Sequence, residues 1–107
     1  MALRQIVLAR KLEALRGQQT EADKQAEVLA EKRTALEKRE AELTQALEEI
    51  TEETPQEDKD ALDAEVSQFE TDSKALEGEE QQSETQRQAI KNQIAELEKE
   101  LAEIENR

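Results

Sequence analysis

Apolar residues recur along this chain at alternating spacings of four and three. In the first half they fall at Leu8, Leu12, Leu15, Ala22, Ala26, Leu29, Leu36, Leu43, Leu47 and Ile50. The polar rungs of that ladder are Gln19, Arg33 and Glu40. A 3.5-residue repeat sustained over about six heptads predicts a helix with a coiled-coil seam. A second ladder carries Leu62, Val66, Phe69, Leu76, Ile90, Ile94, Leu97, Leu101 and Ile104. Its polar rungs, Ser73, Glu80, Ser83 and Arg87, cluster in the middle. Gly78 lies in the same stretch and weakens a helix by about 1 kcal/mol relative to Ala. The centre of the second helix is therefore expected to be its softest part.

The two ladders are out of phase. Between them lies Thr51-Glu52-Glu53-Thr54-Pro55-Gln56-Glu57-Asp58. Thr54 fits an N-cap, and Pro55 fits the first helical position, where its missing N–H costs nothing. Glu57 then completes a capping box, and Asp58 places negative charge near the helix N-terminus. Pro55 also biases Thr54 away from helical angles. The expectation is a first helix over 1–52, a turn over 53–56 and a second helix over 55–107.

A short connection between two apolar-striped helices favours an antiparallel hairpin. Folding back sets Leu47 near Leu62, Leu43 near Val66, Leu12 near Leu97 and Leu8 near Leu101, with the register open by a few residues. The polar middles of the two ladders then meet each other. The competing arrangement is an extended parallel dimer kinked at Pro55. The phase slip and the capping signals favour the hairpin.

Composition agrees with this reading and removes other function classes. Ala, Glu, Lys, Leu and Arg fill 65 of 107 positions, the bias of a long helix or coiled coil. High charge also suits disorder, but the regular apolar spacing decides against it. With no Cys and no His there is no zinc site, no disulfide framework, no thiol nucleophile and no imidazole acid–base chemistry. Acidic clusters such as Glu48-Glu49 and Glu79-Glu80 show no EF-hand spacing and read as solvated faces. Paired carboxylates for hydrolysis need a shaped cleft, which two helices do not offer. No catalytic, cofactor or metal residue is assigned, and no enzyme is expected. The net charge of −13 argues against nucleic acid as a partner. No apolar run approaches the roughly 18 residues that span a bilayer. The first fifteen residues lack the continuous apolar stretch of a secretory signal.

The N-terminal segment stands apart. In Met1–Arg16, Leu3, Ile6 and Val7 lie beside the seam and widen the apolar stripe. This segment has a net charge of +3, while the other 91 residues carry −16. Two readings stay open: a helix start whose extra apolar residues pack on the other arm, or a self-association surface of Leu3, Ile6, Val7, Leu8, Leu12 and Leu15. A membrane-surface helix fits less well, because basic charge is modest and Trp and Phe are absent there. A lone hairpin buries one stripe per helix against an ordering cost of roughly 1.5 kcal/mol per residue. Self-association, or attachment to a larger body, is the expected remedy.

Several stretches carry a resemblance. They are the opening Met1-Ala2-Leu3-Arg4-Gln5-Ile6-Val7-Leu8-Ala9-Arg10-Lys11-Leu12, the run Lys38–Ile50, the Thr-Glu-Glu-rich turn at Thr51–Thr54 and the run Ala61–Glu70. Together they resemble the N-terminal scaffolding (delta) domain of HK97-fold phage major capsid proteins. The resemblance covers nearly the whole chain, with most weight on the opening twelve residues and the turn.

The resemblance implies a domain fused ahead of the capsid shell domain and facing the procapsid interior, assembled in the host cytoplasm. There it would cluster as helical bundles, guide subunit association and be digested by a maturation protease. The implied partners are further copies of itself, the shell domain and, transiently, the protease. The sequence departs from the family pattern in that no shell domain follows Arg107, which suggests a fragment of a capsid protein or a separate scaffold. The alternative is a generic coiled-coil tether whose small and polar rungs between Gln19 and Arg33 leave room for a partner's helix. A chaperone-like hairpin would need an apolar tip, and Thr51–Asp60 is polar apart from Pro55 and does not supply one.

Overall fold

Helix α1 runs over Ala2–Glu48 and helix α2 over Gln56–Glu105 in a computed structural model that describes residues 2–106. The fold is an all-α antiparallel hairpin and not a single kinked helix. Met1 and Arg107, assigned above to the helix ends, lie outside the described residues. The chain divides into two units, each pairing a stretch of α1 with a stretch of α2. One comprises Met1–Glu27 and Gln81–Arg107, and the other Val28–Glu80.

In the unit holding both chain ends, Leu12, Ala22, Ile90 and Ile94 form the core, with Leu15, Leu97 and Leu101 packed against it. Leu8 is only 1% exposed. Arg4 reaches Glu100 at 3.4 Å, Arg16 reaches Glu98 at 3.8 Å and Arg87 reaches Asp23 at 3.0 Å.

In the unit holding the turn, Leu29, Leu36 and Leu76 form the core, with Phe69 against them. The Arg33 guanidinium donates to both carboxylate oxygens of Glu80, at 2.6 and 3.3 Å. Arg39 Nη1 donates to Asp72 at 2.9 Å, and Gln68 donates to the other Asp72 oxygen at 2.9 Å. The Arg39 guanidinium also lies 5.8 Å from the centre of the Phe69 ring, within cation–π range. Lys32 meets Glu79 at 3.4 Å.

These pairs lie two to four residues beyond the first pairing, within the few residues by which the sequence left the register open. That pairing put Leu36 opposite Ser73, whereas Leu36 clusters with Leu76. It also put Arg33 opposite Leu76, an uncompensated charge on an apolar neighbour. The observed register gives Arg33 a bidentate carboxylate partner instead.

Every rung expected on α2, from Leu62 to Ile104, is buried or half-buried. On α1 the ladder holds through Leu36 and then slips. Arg39, Leu43, Ala46 and Ile50 are half-buried, while Glu40 and Leu47 are exposed. Leu47, expected in the seam, is 52% exposed, and this corrects the expectation. Two successive steps of three, from Arg33 through Leu36 to Arg39, move alternate rungs by one residue, to Arg39 and Ala46, while Leu43 and Ile50 keep their expected places. The slip brings Arg39 to Asp72, where Glu40 would have set carboxylate against carboxylate.

The turn also differs from expectation. α1 stops at Glu48, and its last bonds tighten: Glu49 N donates to Gln45 O and Ala46 O, and Ile50 N to Leu47 O. No basic residue occupies the last turn. Glu48, Glu49, Glu52 and Glu53 oppose the negative end of the helix dipole there, which works against extension to residue 52. Thr51 and Thr54 close a β-turn, with Thr54 N donating to Thr51 O at 3.1 Å. The Thr54 hydroxyl accepts from Thr51 N at 2.9 Å, so it does not cap α2. Asp58 N and Lys59 N both donate to Pro55 O. Pro55 is therefore the N-cap, which puts Glu57 at N2, one place early for a capping box, and Thr54 N is bonded to Thr51 O instead. Glu57 and Asp58 still place two carboxylates in the first turn of α2.

Candidate functional site

The residues expected to drive self-association separate into two groups. Leu8 and Leu12 are buried within the hairpin, so they belong to the seam, while Leu15 is half-buried and packs on the core with one edge still outward. This corrects their assignment to an outer surface: a rung on the 4,3 ladder faces the other arm. Leu3, Ile6 and Val7 remain outward, at 70%, 47% and 38% exposed. Helical spacing sets Leu3, Val7, Lys11 and Ala14 along one flank of α1.

That flank runs into a groove between the arms. The groove is open to solvent, with a volume of about 610 Å³, and Ala14, Leu15 and Leu97 are its apolar lining. Lys11 from α1 and Asn92, Gln93, Glu96 and Glu100 from α2 complete the lining. Arg16 and Glu98 bridge the arms beside a second, smaller cavity lined by Ala9, Leu12 and Leu101. No salt bridge uses Lys11 or Glu96 among the described residues. Sequence reasoning missed this groove. The signal was present in Ala14 and Lys11, which continue the face of Leu3 and Val7.

Three polar rungs of the seam, Arg33, Glu80 and Arg87, have charged partners on the other arm. In the Gln19–Arg33 stretch, proposed above to admit a third helix, Ala22 is buried, Asp23 holds Arg87, and Arg33 holds Glu80. The bond from Arg33 is the main cause that holds the Glu80 carboxyl below its usual range, and the same bond raises the Arg33 guanidinium. Asp72 is held low first by Arg39 and then by Gln68. These groups act as ties between the arms, and burial opposes each shift only in part.

Among the described residues, no group of three or more acidic, His or Cys side chains could hold a metal ion, and no helix is long and apolar enough to cross a membrane. No protein-family model, curated protein or solved structure matches the chain.

Proposed function

We propose that this chain is a capsid assembly scaffold, acting as the delta domain of an HK97-fold capsid protein acts. The observation that carries this reading is the outward apolar face of Leu3, Ile6 and Val7 on a basic segment of an otherwise acidic hairpin. Such a face gives weak, reversible contact between copies, which lets wrongly placed shell subunits dissociate and rejoin. The small cores of both units suit a domain that a maturation protease must open and digest. The acidic surface would not hold incoming DNA inside a procapsid. In this role the partners are further copies, the shell domain and the protease.

The test is to join the chain ahead of an HK97-fold shell domain stripped of its own scaffolding segment and to examine the particles by electron microscopy. The expected result is closed, uniform shells, replaced by aggregates or open sheets when Leu3, Ile6 and Val7 are all changed to Asp. Particles that form equally well with and without the chain would sink the reading.

A further inference from the structure

We infer that the groove beside Leu15 and Leu97 takes a second copy of this chain, packed parallel to the first around a two-fold axis along the helices. The inference rests on the self-association in the scaffolding reading and specifies its site and geometry.

Opposite charges line the groove, Lys11 from α1 and Glu96 from α2, while Glu100, also in the lining, is held by Arg4 of the same chain. A two-fold axis parallel to the helices stacks α1 of each copy on α2 of the other. Lys11 then meets Glu96 of the partner, and the contact occurs twice. A two-fold axis across the helices stacks α1 on α1 and α2 on α2, setting Lys11 on Lys11 and Glu96 on Glu96. The same charges thus favour one orientation and oppose the other. Lys11 and Glu96 make no salt bridge within the chain among the described residues and so are available to a neighbour. The apolar material to be covered is Leu3, Val7, Ala14 and the exposed edges of Leu15 and Leu97. The two copies would carry their N-terminal ends on the same side, which is the arrangement needed where each chain is anchored at one end.

The test is sedimentation equilibrium of the full chain and three variants, with helix content followed by circular dichroism. Wild type is expected to dimerise. K11E alone and E96K alone are each expected to weaken the dimer about tenfold or more, because each sets two like-charge contacts. An equimolar mixture of K11E and E96K is expected to restore dimers. The carboxylate introduced in one copy then meets the ammonium introduced in the other, while the wild-type contact persists on the second side. The doubly exchanged K11E/E96K chain is expected to dimerise alone. Recovery in the double variant without recovery in the mixture would place the contact within one chain and overturn the proposal. A wild-type monomer at all concentrations would overturn it too, and would leave the shell-fusion test of scaffolding to be decided separately.

Discussion

Leu36 and Leu47 are the same side chain on the same helix, and both were expected in the seam; the slip at Arg39 gives them different fates. Leu36 is buried, so Leu36→Ala should cost about 2–4 kcal/mol in a denaturant titration. Leu47→Ala should cost less than about 0.5 kcal/mol. Equal losses would contradict the slip. The Arg33–Glu80 pair is the other residue-scale outcome that the sequence concealed. Both residues were visible as polar rungs, but the spacing left the register open by a few residues, and one such setting puts Arg33 against Leu76. The apolar ladder repeats every heptad and tolerates that setting, while a bidentate ion pair does not. Because Glu80 is held below its usual range, its contribution is present at neutral pH and is lost as pH falls through that lowered value. Glu80→Gln should therefore lower the thermal midpoint at pH 7, and the gap to wild type should close in acid.

At the scale of elements, both helices and the place of the turn were legible, since each apolar ladder is long and the phase changes between them. The exact ends were not. The expected cap at Thr54 failed because its hydroxyl is taken by Thr51 N within a β-turn, a competition between local partners that spacing does not reveal. The two glycines are a further feature of the helices. A methyl group added at Gly17 or Gly78 would meet nothing within 4 Å, and neither glycine has a positive backbone φ. Neither position needs glycine for space or conformation. Gly17→Ala and Gly78→Ala should each stabilise the chain by about 1 kcal/mol, read as a higher melting midpoint. No gain at Gly78 would remove the expectation that the centre of α2 is soft.

For the whole molecule, charge sets the response to solution conditions. Twenty-eight acidic residues against fifteen basic ones leave self-repulsion that works against the folded chain. The bridges between the arms are mostly exposed and individually weak. Raising ionic strength from about 0.01 to 0.15 M shortens the screening length from about 30 to 8 Å. Relief of repulsion should then outweigh weakening of the bridges, and the melting midpoint at pH 7 should rise, measured at one fixed protein concentration. A fall would mean that the bridges dominate. Composition and ladder spacing made the fold class readable. Of the groove only the α1 side was readable, in Lys11 and Ala14; its other side depends on which α2 residues lie beside that flank, and that follows only from the register.

The position of the turn has a consequence in time. Facing residues lie further apart in sequence the further they are from it: 33 positions for Arg39 and Asp72, 47 for Arg33 and Glu80, 64 for Asp23 and Arg87, and 96 for Arg4 and Glu100. Loop closure costs more as that separation grows, so contacts near the turn form first and those at the chain ends last. Opening runs in the reverse order, and amide hydrogens of the first two turns of α1 should exchange before those around Leu36 and Leu76. The groove beside Lys11 therefore exists only once folding has finished, and a chain still closing has no such surface to offer a neighbour.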